Sequence, residues 1–135
     1  VGSGTSARVY ALRAPQPTPG TRDTSFPRIT YQLIANQHAR GMSGSQGHAD
    51  ARMQVSCWAL RYLDDGTTYG AKSLSNAVRL AMDGANTTFG TTRVRRCFLE
   101  TEIDIYEPPE HADDDGVYHV AMDFQIAYQE AAPTL

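Results

Sequence analysis

GVYHVAMDFQIAY, residues 116–128, alternates along its whole length. Tyr118, Val120, Met122, Phe124, Ile126 and Tyr128 fall on one face of an extended chain, and Val117, His119, Ala121, Asp123, Gln125 and Ala127 on the other. A period of two with one strongly apolar face is the pattern of a strand, and the apolar side must lie on a second layer. The other side is only mildly polar and offers no obvious chemistry. What covers each side has to be sought in the rest of the chain.

Working back from this strand, PPEHADDDG (108–116) is an acidic turn, because Pro-Pro and Asp-Gly interrupt regular structure. Before it, RVRRCFLETEIDIYE (93–107) reads as a second long strand. Unbroken alternation places Cys97, Leu99, Ile103 and Ile105 on one side and Arg96, Glu100, Glu102 and Asp104 on the other. ANTTFGTT (85–92) is a polar turn region. In YGAKSLSNAVRLAMDG (69–84) the period changes: Ala71, Leu74, Ala77, Val78, Ala81 and Met82 recur at spacings of three and four. That is an amphipathic helix, ended by Gly84 in a left-handed cap. Its alanine-rich stripe lets it sit close to a sheet, but it covers one face only.

Two more strands precede the helix. ARMQVSCWAL (51–60) sets Met53, Val55, Cys57 and Ala59 against Gln54, Ser56 and Trp58, and RITYQLIA (28–35) sets Ile29, Tyr31 and Leu33 against Arg28, Thr30 and Gln32. Between them NQHARGMSGSQGHAD (36–50) has no periodicity and reads as a long loop, a kind of segment that commonly carries function or orders on docking. Residues 11–27 hold four of the seven prolines and read as an extended arm, while QEAAPTL (129–135) is a frayed tail. Strand, strand, helix, strand, strand predicts an α+β fold: a mostly antiparallel sheet of about four strands with one main helix packed on a face. The expected organisation is a single domain with an arm at 1–27, a core at 28–130 and a tail at 131–135.

The bulk composition narrows the function. With 135 residues, 41% hydrophobic and 20% charged, the chain is an ordinary globular domain with enough length for a core. A net charge of −3 argues against a protein whose main task is gripping nucleic acid. No run approaches the length of a transmembrane helix. The start shows neither a signal peptide nor an initiator Met, so a segment upstream is expected. Cys57 and Cys97 lack zinc or redox spacing and read as buried thiols.

Candidate chemistry is thin. His38 and His48 share the 36–50 stretch, but no HxH or HxxxH pair exists to hold a metal. Asp113, Asp114 and Asp115 with Glu110 and His111 lack the third oxygen ligand and closing glutamate of a calcium loop, and read as a solvated turn. The glycines of VGSGTS and RGMSGSQG lack the lysine and the strand-to-helix setting of a phosphate loop. No cofactor, catalytic or metal-ligating residue is expected. Trp58 is more informative, since it puts apolar bulk on the otherwise polar face. Either the arm or an upstream helix forms a second layer over it, or it anchors a subunit interface.

Several stretches, taken in order, carry a resemblance. RVYALRAPQ (8–16), FPRITYQLI (26–34), ARMQVSCWA (51–59), AVRLAMDG (77–84), EIDIYEP (102–108) and GVYHVAMDFQIAYQE (116–130) resemble the phage tail completion proteins in order and spacing. These are the tail terminator or head–tail joining proteins of long-tailed phages and phage-like gene transfer particles. Members usually carry a helix ahead of the RVY stretch, which would supply a second cover for the sheet. The resemblance implies a virion component: a ring, typically a hexamer, at the head-proximal end of the tail tube. Such a ring stops tube growth, meets the neck or head-completion proteins and lets genome DNA pass through its lumen. On this expectation Arg40 and Met42 of the 36–50 stretch, Trp58, and the mixed-charge row Arg96, Glu100, Glu102 and Asp104 are the candidate interface residues. The competing readings are another neck or stopper subunit and, from a different class, a small metal-dependent hydrolase using Asp113–Asp115 with His111 or His119. A host regulatory binding module is disfavoured by the absence of a basic face.

Overall fold

The computed structural model describes residues 9–12, 26–41, 44–64, 66, 70–109 and 116–129, with side chains left out at 39–41 and 44–46. Its elements are β1 (Val9–Ala11), β2 (Arg28–Gly41), β3 (Gly44–Ala59), α1 (Ala71–Met82), β4 (Thr87–Phe89), β5 (Thr92–Glu107) and β6 (Val117–Gln129). The strands form one six-stranded sheet in the order β1-β2-β3-β6-β5-β4. β1 runs parallel to β2, and every other neighbour is antiparallel.

This corrects the fold expected from the sequence. The described residues form a mixed six-stranded sheet with one twelve-residue helix, not a four-stranded antiparallel sheet built around a main helix. The two added strands are three residues each, too short to show a period. Residues 36–50, read above as a loop, largely extend β2 and β3 into a long hairpin. Its polar residues and glycines give no period that would report this pairing, although Ala49 is buried and the Asn36 amide donates to the Tyr128 hydroxyl at 2.7 Å.

The centre of the sheet is the alternating stretch 116–128. β6 lies between β3 and β5, so its alternating side chains meet partners on both flanks. Val120, Met122 and Phe124 are completely buried, and each stands opposite an apolar residue of β3: Cys57, Val55 and Met53. Burying each of the three contributes about 1.5–3 kcal/mol. α1 closes this face, inserting Ala71 and Leu74 into the cluster with Val78 and Met82 at its margin.

Both ends of the helix are tied to the sheet side. At the start, Gly70 brings no side-chain cap. Instead its N–H donates to Asp64 Oδ1 at 2.7 Å, while the Ala71 N–H reaches the Arg61 carbonyl at 2.8 Å. A Cβ at Gly70 would lie 2.5 Å from the Tyr62 carbonyl oxygen, so glycine is required by the close approach of two backbones. At the end, Gly84 takes φ +81°, as the cap expectation requires, and its N–H donates to the Cys97 carbonyl at 2.6 Å.

The alternation of β5 is broken at a point that side-chain periodicity does not mark. Leu99 pairs with Phe124 and Thr101 with Asp123, leaving Glu100 as an extra residue in a bulge. Past the bulge the faces change places. Glu102 pairs with Met122 and Asp104 with Val120, so these carboxylates stand on the helix-covered face. Ile103 and Ile105 stand on the open face beside Ala121 and His119. The expectation that Cys97, Leu99, Ile103 and Ile105 share a side therefore fails at its midpoint. Cys97 is buried, while Ile103 and Ile105 are 53% and 40% exposed.

Candidate functional site

The bulge brings two carboxylates to the flank of the helix, where they meet a lysine and a tyrosine. Lys72 Nζ lies 3.0 Å from Glu102 Oε1 and 3.5 Å from Asp104 Oδ1. The Tyr62 hydroxyl donates to Asp104 Oδ2 at 2.6 Å. Ser73 donates to Asp64 Oδ2 at 2.9 Å. A polar cleft of about 530 Å³ opens here, between Leu63–Asp64, the Lys72–Arg79 side of α1 and Glu102.

The electrostatics of this cleft make a clasp. The hydrogen bond to Glu102 raises the Lys72 pKa, and the hydrogen bond to Asp104 raises that of Tyr62. A lysine held charged and a phenol held protonated are both turned away from service as base or nucleophile. Two thiols are likewise silenced. Burial pushes the Cys57 thiol up to about 12, and burial also raises Cys97.

No described helix lies over the opposite face of the sheet. Its rows carry Arg52, Gln54, Ser56 and Trp58 of β3 beside Gln125, Asp123, Ala121 and His119 of β6. Ser56 and Ala121 are small and form a shallow floor. Trp58 stacks on His119 with ring centroids 3.8 Å apart, and its Nε1 donates to Thr30 Oγ1 at 3.0 Å. Desolvation lowers the His119 pKa, and its buried Nε2 has no hydrogen-bond partner among the described residues. Arg52 pairs with Asp123 at 2.8 Å. Along β5 the exposed row Phe98, Ile103 and Ile105 completes this face.

The candidate interface residues do not form one patch. Trp58 and Arg96 lie on the open face, Arg96 with its guanidinium 6.0 Å from the Phe98 ring. Glu100 sits in the bulge, and Glu102 and Asp104 face the helix. Arg40 belongs to β2 near the hairpin end, and Met42 lies outside the described residues. The indole that suggested an anchor is satisfied within the chain, by His119 and Thr30. No signal short of the β5–β6 register would have revealed the Lys72–Glu102–Asp104–Tyr62 clasp.

The metal alternatives fare as follows. His38 pairs with Ala49 and His48 with Gln129, which puts the two imidazoles on opposite faces of the hairpin. His111 and Asp113–Asp115 lie outside the described residues, and among the described residues no three His, Cys, Asp or Glu gather to hold an ion. No described helix is long and apolar enough to cross a membrane.

Comparison with known proteins gives the sequence a family. The model of the family described as tail completion protein gp17 matches residues 3–129. No curated protein matches. Among solved structures, a chain from the virion of a native gene transfer agent particle is similar in fold, with a TM-score of 0.53 and 19% identity. The alignment covers 90% of this chain and 78% of that one.

Proposed function

The chain belongs to the tail completion protein gp17 family, a family of structural components of the virion tail and neck, and from that membership we propose that it is a tail terminator. In this reading copies of the chain close into a ring on the head-proximal end of the tail tube. The ring halts addition of tube subunits and presents a surface to the head-completion protein of the neck, and DNA crosses its lumen without being gripped. The role is structural and uses no cofactor.

One observation carries the reading beyond family membership: among the described residues the sheet is covered by a helix on one face only, and long stretches of both its edges pair with no described strand. Apolar residues stand exposed on the open face, and the polar groups of the cleft are matched to one another rather than poised for a substrate. That is the surface economy of an assembly subunit. A cyclic ring needs two different patches per subunit, each complementary to the other, and the two dissimilar edges of this sheet supply them. The covalent chemistry open to a thiol is disfavoured by the raised pKa values of Cys57 and Cys97.

Electron microscopy of particles made with and without the chain tests this. The expected result is density for the chain between tube and neck in complete particles, and over-long tubes unattached to heads in its absence. Tubes of normal length joined to capsids without the chain would overturn the terminator role. Density against the portal rather than the tube would make it a stopper.

A further inference from the structure

The two outer edges of the sheet are stepped, and the steps match. On one side β1 lies along only the first part of β2, pairing Val9 with Ile29 and Ala11 with Tyr31. The Leu12 N–H then reaches the Tyr31 carbonyl at 2.7 Å, and beyond it no described strand pairs with the outer edge of β2 from Gln32 to Gly41. On the other side β4 pairs only with Thr92–Val94 of β5. Past it, the Gly84 N–H occupies the Cys97 carbonyl, and Asp83 Oδ1 accepts from the Leu99 N–H at 3.0 Å. From Thr101 to Glu107 no described strand pairs with that edge.

Following the rows across the sheet shows how these steps relate. Tyr10, Thr30, Ser56, Ala121 and Ile103 form one row. The strand β1 therefore projects at the level where the edge of β5 is open. His38, Ala49, Tyr128 and Val94 form another row, so β4 projects at the level where the edge of β2 is open. Each edge is recessed where the other stands out.

Charge agrees with this fit. From Arg28 to Gly41 the chain carries Arg28, His38 and Arg40 and no acidic residue, whereas Glu100 to Glu107 carries Glu100, Glu102, Asp104 and Glu107 and no lysine or arginine. Lys72 answers only Glu102 and Asp104. Pairing β5 with β5 would set acidic rows against each other, whereas at this level the β1–β2 edge brings Arg28, in the row of Trp58, His119 and Ile105, and no described acidic residue.

Resting on the assembly reading above, we propose that the partner on the β5 edge is a second copy of this chain, docked through its β1–β2 edge, so that the sheet continues from subunit to subunit. Strands keep their direction in a neighbour rotated about an axis along them, so the incoming β1 meets β5 antiparallel. Strand addition supplies the backbone hydrogen bonds, and Tyr10 of the newcomer comes to rest beside Ile103 on the open face. A head-to-tail contact of this kind closes into a ring when its rotation is a whole fraction of a turn.

Cysteine cross-linking between separately made proteins tests the edge. A Tyr10→Cys protein is mixed in turn with Thr101→Cys, Ile103→Cys and Ile105→Cys proteins under mild oxidation, with Leu80→Cys on the helix surface as control. Cross-strand neighbours stand close enough for a disulfide, so a covalent dimer is expected with at least one of the three and not with the control. Neither partner alone should link to itself. Native mass measurement on the unmodified protein runs alongside. Rings that form without any Tyr10–β5 link overturn the edge pairing and leave the terminator reading intact. A protein that stays monomeric even on tube ends overturns the ring, and the edge pairing with it.

Discussion

The indole of Trp58 lies flat on the imidazole of His119, with ring planes 10° from parallel. The two residues are directly opposite on adjacent central strands, and each covers the apolar face of the other where no helix does. Trp58 is shielded in large part by its own cross-strand neighbour.

This stack makes the fold sensitive to mild acid. The folded-state pKa of His119 lies below its ordinary value because burial disfavours the cation, an effect that the charge of Glu107 only partly offsets. The unfolded chain therefore binds the proton more readily, and stability falls as pH drops through the ordinary histidine range towards the lowered folded value. His119→Phe keeps the stack and removes the titration. Urea melts between pH 7.5 and 5.5 should show a smaller loss for the variant than for the wild type, and equal slopes would remove His119 as the cause.

Gly70 tolerates no side chain. Its added Cβ would meet the backbone of Tyr62 and Leu63 at 2.5–2.7 Å, and neither can swing aside. Gly70→Ala should cost about 2–3 kcal/mol, as overpacking against rigid neighbours does, and at this extended N-cap position alanine brings no helix-forming advantage over glycine. Chemical denaturation measures it. A gain in stability would show that the Tyr62–Leu63 turn yields.

The thiols should be shielded. With Cys57 raised to about 12 and both sulfurs buried, iodoacetamide at pH 8 should modify the native protein far more slowly than the unfolded chain. Mass spectrometry over time counts the adducts. Rapid labelling of native Cys57 would contradict its place in the core.

The bulge at Glu100 can be tested by its consequence for Ile103. Unbroken alternation would bury this residue, so a lysine there would wreck the core. With the faces exchanged, Ile103→Lys changes an exposed position and should shift monomer stability by no more than about 0.5 kcal/mol. Phe124→Ala, on the buried side of the central strand, should cost about 3–5 kcal/mol. Comparable losses for the two would restore the unbroken register.

Removing the lysine of the clasp should have a modest, salt-dependent effect. Lys72→Met leaves Glu102 and Asp104 facing each other without their cation. Because all three groups are partly exposed, the expected cost is about 0.5–1 kcal/mol, shrinking as added salt screens the carboxylates. A loss that does not change with salt would mean that the side chain acts through packing.

By itself the sequence determined the apolar face of β6, the helix over 71–82 with its glycine end, and the strands around Val55 and Cys97. In each the side-chain period matches the backbone period, and burial rewards only that match. The ordered stretches from Arg8 to Glu130 also carried the family. Only the tertiary structure decided that the last strand lies in the middle of the sheet, that the 36–50 stretch is largely a paired ribbon, and that two three-residue strands step its edges. It alone showed that one extra residue in β5 sends Glu102 and Asp104 to the helix and Ile103 and Ile105 to the open face. These features are set by hydrogen bonds between backbones far apart in the chain. A peptide group makes such bonds whatever side chain it bears, so the order of side chains leaves no trace of them.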